Sequence, residues 1–319
     1  MARPIEAARR LVVLTAIDIE YAAMRRHLND LVPRRHPAGT IFEVGAVPGA
    51  PWQVALAVTG PGNIGAGVLA ERAIALFAPQ ALLFVGIAGA LREWVALGDV
   101  VVGTRVFAYH GGRDDRSGFQ HRPRSWDAAH GLEQLARHVA RDDVRPEGDE
   151  RPGPAVHFLP IAAGEVLLNS PSSPLARQLQ GQYGDAVAIE MESAGASAAA
   201  HLNGGLPMLT VRGISDSVHR PKEEAEQAGW PLLAAQRAAA FAAGLIRRLE
   251  PEHTGAAPTA APVVADRPAA PATVADRPAA PATVADRPAA PANVQVNSAS
   301  GGAVFAVQGG DQIVHGGPR

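Results

Sequence analysis

The amino-acid sequence predicts an α/β domain followed by a disordered, Pro/Ala-rich tail. Three observations carry this reading. Short runs of aliphatic and β-branched residues alternate with longer Ala-rich stretches of helical spacing. Residues 185–216 read as strand, helix and strand, with acids at both strand ends. Near residue 251 the composition turns to Pro and Ala in short repeats. A chain of 319 residues, 47% of them hydrophobic, can bury one sizeable core. Its 29 basic and 31 acidic residues leave a formal charge of −2, so the overall balance points to neither nucleic acid nor a membrane surface. It has no cysteine, which excludes disulfides, thiolate metal sites and cysteine nucleophiles.

Residues 11–17 form the first apolar run, too short to span a membrane, and are read as a buried strand with no export signal; a cytoplasmic location is expected. Residues 18–28 follow with helical spacing of Ile19, Ala22, Ala23 and Met24. Glu20 stands at the junction, where an acid serves either the helix dipole or chemistry. Residues 52–59 are read as the third strand. After them Gly60, Gly62 and Gly65 satisfy G-x-G-x-x-G. The ribose-binding acid expected about twenty residues later in a dinucleotide fold is missing from 81–90, so the glycines are read as allowing close backbone approach. Residues 81–85 are a doubly buried strand and 86–90 a small-residue turn, with Ile87, Ala88 and Gly89 at its centre. Asp99 is a turn former before the next strand.

From Tyr109 to Trp126 the chain is polar and basic, in the manner of a solvated surface loop. Residues 131–141 form a helix, 142–153 a charged loop and 158–164 a strand. Ser173 caps a further helix that has Pro174 in its first turn. In 185–216 a parallel βαβ crossover would bring Glu192 and Asp216 to one edge of the sheet, where open α/β folds keep ligands. Residues 230–249 close the domain as an Ala-rich helix. The eleven histidines show no H-x-x-x-H ligand pattern, and no metal or other cofactor is expected.

The run Glu190-Met191-Glu192-Ser193-Ala194-Gly195-Ala196, with Val211-Arg212-Gly213-Ile214-Ser215-Asp216, resembles the nucleoside phosphorylase family that includes the methylthioadenosine/S-adenosylhomocysteine nucleosidases. The resemblance spans about residues 10–250. It implies a three-layer sandwich around a central mixed sheet. It also implies that Asp216 protonates or hydrogen-bonds the purine, that Glu20 activates water, and that Glu192 binds the ribose hydroxyls with Met191 under the sugar. Glu190 would complete the pocket and Ser215 would stand beside the acid. Gly60 and Gly62 would lie by the ribose, Ile87, Ala88 and Gly89 under base and sugar, and Glu165 and Val166 along the purine. The family's phosphorylase branches place a hydroxyl residue where this chain has Ile87, which favours water over phosphate. His110, Arg113, Arg116, Arg122 and Arg124 fall on the sugar's 5′ side, where they would suit a phosphate chain.

The tail is a second device. Residues 264–273, 274–283 and 284–293 each carry VADRPAAPA, which reads as a semi-rigid linker over 251–292. Residues 293–319 are β-prone, and 303–314 resemble short amyloid-signalling motifs that couple bacterial immune receptors to effector enzymes. The expected function is therefore hydrolysis of an adenine nucleoside or nucleotide, ATP included, by a defence effector. That effector would be a homo-oligomer, recruited through 293–315 by an immune receptor or by copies of itself. Two alternatives stand beside it: a housekeeping methylthioadenosine/S-adenosylhomocysteine nucleosidase, and a nucleotide-binding sensor without catalysis.

Overall fold

The structure, a computed structural model, describes residues 9–116, 118–142, 146–219 and 222–250. The repeat linker and the β-prone motif expected over 251–319 lie outside the described residues. In chain order the elements are β1 (Arg10–Thr15), α1 (Asp18–Arg25), β2 (Asn29–Arg35), β3 (Ile41–Ala46), β4 (Gln53–Val58), α2 (Asn63–Phe77) and β5 (Ala81–Ala90). There follow β6 (Val100–Ala108), β7 (Gly112–Asp115), β8 (Gly118–His121), β9 (Arg124–Asp127), α3 (His130–Val139), β10 (Val156–Ala163) and α4 (Pro174–Gln182). The last are β11 (Ala188–Glu190), α5 (Ser193–Leu202), β12 (Met208–Ser217), α6 (Lys222–Gln227) and α7 (Trp230–Arg248).

Alternation along the central strands sets the layers. Leu11, Val13, Leu83, Val85 and Val211 face one core with Met24 of α1, Leu132 of α3 and Phe241 of α7. Val12, Leu14, Leu82 and Phe84 face the other, with Ala66 and Ala70 of α2 and Ala196 and Ala200 of α5. Helices thus cover both faces, as the apolar runs required. Each large apolar side chain taken from water contributes about 1.5–3 kcal/mol, so the two cores together hold the sheet between its helices.

The main sheet runs β11-β10-β6-β12-β5-β1-β4-β3-β2, with β9 added beside β6. It is mixed. β4, β1, β5 and β12 run parallel; β6 is antiparallel to β12, and β10 and β11 run parallel to β6. β11 also pairs antiparallel with the end of β5, so β5, β12, β6, β10 and β11 close into a ring. This corrects the expected parallel crossover: β11 and β12 run in opposite senses. Their acids still meet because both strands converge on one residue of β5, Ile189 opposite Gly89 on one side and Asp216 opposite Gly89 on the other.

Other expectations change as well. Residues 86–90 are no turn but the second half of one ten-residue strand. A Cβ on Gly89 would stand 2.8 Å from Asp216 Oδ1, and one on Gly86 would meet the side chains of Arg212 and Glu20. The glycines serve side-chain approach across a strand. The strand ahead of the glycine loop is the fourth, because the polar β2 and β3 form an antiparallel edge. α1 ends at Arg25 rather than residue 28. The basic loop after Tyr109 contains a hairpin of β7 and β8, then returns as β9 along β6. Ser173 does cap α4, its Oγ accepting from Ala176 N at 3.0 Å. Asp99 is a turn residue as expected; its carboxylate accepts from Ala96 N and Ala155 N and meets His157 Nε2 at 2.8 Å.

Candidate active site

Glu20 is the third residue of α1, where a side chain can fold back onto the backbone that precedes the helix. Its Oε2 accepts from Ala16 N at 2.6 Å and Ile17 N at 3.1 Å, and its Oε1 accepts from Ile87 N at 2.8 Å. One carboxylate therefore both caps α1 and docks on β5. It is 3% exposed. Burial pushes its pKa up, and nearby Arg212 with the three N–H groups works the other way by stabilising the charged form.

Arg212 is the centre of the site. It lies mid-strand in β12, wholly buried, with its Cζ 4.6 Å from the ring centroid of Phe84. A buried guanidinium requires anions and acceptors around it. Its Nη2 donates to Glu190 Oε2 and, at 3.1 Å, to Ser193 Oγ, and lies 3.5 Å from Glu192 Oε2. Its Nη1 donates to Ile87 O at 3.4 Å and stands 4.0 Å from Glu20 Oε1. Glu190, at the end of β11, also accepts from Glu192 N at 3.0 Å and Ser193 N at 2.9 Å, anchoring the start of α5. Glu192 reaches the glycine loop, where Gly62 N donates to its Oε1 at 3.2 Å. Burial first, then the neighbouring Glu190, push the Glu192 pKa to about 7 against the pull of Arg212.

Asp216 follows a register shift in β12 and sits half-buried opposite Gly89. Ser215 Oγ donates to its Oδ2 at 2.6 Å, and Ser215 itself is buried against Ala88 O. Ile87, which holds Glu20, and Gly89, which faces Asp216, are two residues apart on β5, or about 6–7 Å along the strand. The structure thus brings Glu20, Glu190, Glu192, Ser215 and Asp216 together around Ile87, Ala88 and Gly89, with Met191 half-buried between the two glutamates.

Other expected site residues take different places. The Glu165 carboxylate lies on the start of α2 beside Gly62, accepting from Asn63 N at 3.1 Å and Asn63 Nδ2 at 3.0 Å. Val166 is exposed, as is the neighbouring Leu167; both line a cavity of about 590 Å³ with Tyr109, His110 and Gln178. His110 Nδ1 accepts from Glu165 N at 3.1 Å. Arg113 lies on β7 with Asp115 at 3.5 Å, Arg116 in the hairpin turn, Arg122 just before β9 and Arg124 at its start, and all four are exposed. Among the described residues no group of three or more His, Cys, Asp or Glu is arranged to hold a metal ion. No helix among them is long and apolar enough to cross a membrane.

Two site residues carry no role in the sequence reading. Arg212 had a signal, a charge inside an otherwise apolar strand, which three unpaired glutamates elsewhere could have explained. Asn63 had none beyond its place after Gly62.

A three-layer α/β protein whose sheet edge gathers buried acids around one arginine is the class that fold and site define. The chain belongs to the phosphorylase superfamily, whose family model matches residues 10–249. Among relatives, the ATP nucleosidase Cap17 of Escherichia coli is 28% identical over 241 residues, covering 67% of this chain and 47% of that protein. The chain therefore spans about half the length of that relative. A 5'-methylthioadenosine/S-adenosylhomocysteine nucleosidase of Maridesulfovibrio salexigens is 26% identical over 220 residues, 66% of this chain and 87% of that protein. Among solved structures, the 5'-methylthioadenosine/S-adenosylhomocysteine nucleosidase of Neisseria meningitidis in complex with methylthio-immucillin-A has a TM-score of 0.64 at 22% identity, covering 76% of this chain and 100% of that chain. The futalosine hydrolase of Helicobacter pylori strain 26695 has a TM-score of 0.62 at 21% identity, covering 76% and 99%.

Proposed function

We propose that this chain hydrolyses the N-glycosidic bond of an adenine nucleotide, with ATP as its substrate. Breaking that bond builds positive charge at ribose C1′ and negative charge on the purine, so catalysis needs an activated nucleophile on one side and an acid on the other. Glu20 takes a proton from the water whose oxygen bonds to C1′. The C1′–N9 bond breaks, its electron pair goes to the purine, and Asp216, steadied by Ser215, donates a proton at N7. Glu192 accepts from the ribose hydroxyls, Met191 lies under the sugar, and Gly60 and Gly62 let backbone approach it. Glu190 holds Arg212 and the start of α5 in place. The observation that carries this reading is the pair of acids placed two residues apart along β5, with Glu192 joined to Glu20 through Arg212.

Water is favoured over phosphate because the cation in this cluster, Arg212, is already engaged by Glu190, Glu192 and Ser193. ATP is favoured by the relative named ATP nucleosidase and by the exposed arginines of the hairpin and its flanks. The 5'-methylthioadenosine/S-adenosylhomocysteine nucleosidase relatives favour a second reading, in which the thio-nucleosides are the substrates. In the first reading the protein is a homo-oligomeric defence effector in the cytoplasm, switched on when residues 293–315 cluster with themselves or with an immune receptor.

The test is product analysis after incubation with ATP, AMP, adenosine, methylthioadenosine and S-adenosylhomocysteine, with and without inorganic phosphate. Free adenine from ATP at a rate indifferent to phosphate is expected. Adenine from the thio-nucleosides alone establishes the second reading, and no cleavage of any of them by the clustered or unclustered protein sinks both.

A further inference from the structure

Asn63, the first residue of α2, holds three parts of the site boundary at once. Its Nδ2 donates to Gly164 O at 2.9 Å and to Glu165 Oε1 at 3.0 Å, at the end of β10 and the loop that follows. Its own backbone N–H donates to that same Oε1 at 3.1 Å. Its Oδ1 accepts from Gly195 N at 3.0 Å, in the first turn of α5. The residue before it, Gly62, donates to Glu192, and the residue after Glu192 starts α5. On the far side, Glu165 N donates to His110, which opens the basic hairpin region. The loop held in this way carries Val166 and Leu167 into the wall of the cavity of about 590 Å³.

We propose that Asn63 and Glu165 form a clamp that positions Glu192 from behind and fixes the wall beside it, making them positioning residues for substrate binding. The proposal rests on the reading of Glu192 as the ribose-binding carboxylate. Neither residue makes a hydrogen bond to Glu20 or Asp216, so the clamp acts on binding shared by ground state and transition state. Loss of such binding raises KM and leaves kcat nearly unchanged.

The experiment is steady-state adenine release by the full chain, using whichever of ATP and methylthioadenosine the wild-type protein cleaves better. Asn63→Ala is expected to raise KM about tenfold with kcat within about threefold, the scale of losing hydrogen bonds to a carboxylate. Glu165→Ala, at an exposed side chain, is expected to do the same, and the double variant to be no worse than either single one. Glu165→Gln, which keeps an acceptor oxygen for Asn63, is expected to retain KM near that of the wild type. If Asn63→Ala does not fold, the two Glu165 variants carry the test. Unchanged KM in the alanine variants overturns the clamp, as do additive losses in the double variant. Glu192→Gln separates the two claims: full activity in that variant sinks the ribose reading itself, whereas an inactive Glu192→Gln beside unaffected alanine variants sinks only the clamp.

Discussion

Three buried glutamates share one buried arginine, and this imbalance of charge is the main electrostatic fact at the level of single residues. Glu192 shows its consequence, since its pKa lies near 7 in the folded chain against 4.5 for an unperturbed carboxyl. Between those values the native state binds more protons than the unfolded chain, so the contribution is fully present below pH 4.5 and is lost as pH rises toward 7. Glu192→Gln, neutral throughout, is therefore expected to equal the wild type in stability at pH 4 and to exceed it by about 1–3 kcal/mol at pH 8. Denaturant unfolding at the two pH values checks this, and a variant that weakens in parallel with the wild type contradicts it. Activity is expected to fall at least a hundredfold, because a strained carboxylate kept at a cost in stability is what a binding site uses. Most of these residues were legible in the sequence, since acids at the ends of apolar strands need partners. The role of Arg212 is not legible there, because its strand reads as apolar and its partners come from elements remote in sequence.

Among the elements, long periodic segments are legible in the sequence and close approaches are not. The helices over 63–77, 130–139, 193–202 and 230–248 and most core strands follow from spacing alone. Residues 86–90 have the small-residue composition of a turn, yet three-dimensional crowding, not local conformation, explains Gly86 and Gly89. The direction of β11 is not legible in the sequence because a three-residue strand carries no pattern, and its pairing is decided by closure of the ring. The edge strands β2 and β3 escaped because their mixed, exposed sequences lack alternation. Two other glycines give opposite predictions. A Cβ on Gly213 would fall on the backbone of Ala234, forcing β12 and α7 apart, so Gly213→Ala is expected to destabilise by about 2–4 kcal/mol. Gly131, in α3, faces open space, and Gly131→Ala is expected to stabilise by about 0.5 kcal/mol through the unfolded chain. Thermal unfolding of the two variants reads both signs; a neutral Gly213→Ala would mean that α7 does not pack this closely.

Across the whole molecule, charge is nearly balanced, yet Arg113, Arg116, Arg122 and Arg124 stand close in sequence on an exposed hairpin and its flanks. Asp114 and Asp115 in the same hairpin offset part of that charge, which leaves Arg122 and Arg124 as the cations that matter most for a phosphate chain. Replacing both with alanine is expected to raise KM for ATP several-fold at low ionic strength, less at high salt, and to leave methylthioadenosine cleavage unchanged. Equal effects on the two substrates would contradict a role in phosphate recognition. The change of composition near residue 251 is a reading of the sequence alone, resting on the inability of Pro/Ala repeats to bury a core, and the residues concerned lie outside those described.

The most direct test of the central claim is adenine release from ATP in ¹⁸O-labelled water, with the sugar product analysed by mass spectrometry. If Glu20 delivers water to C1′, each turnover places one ¹⁸O in the ribose triphosphate, independent of phosphate, and Glu20→Gln releases no adenine. A sugar phosphorylated at C1′, an unlabelled product, or undiminished release by Glu20→Gln would contradict the account.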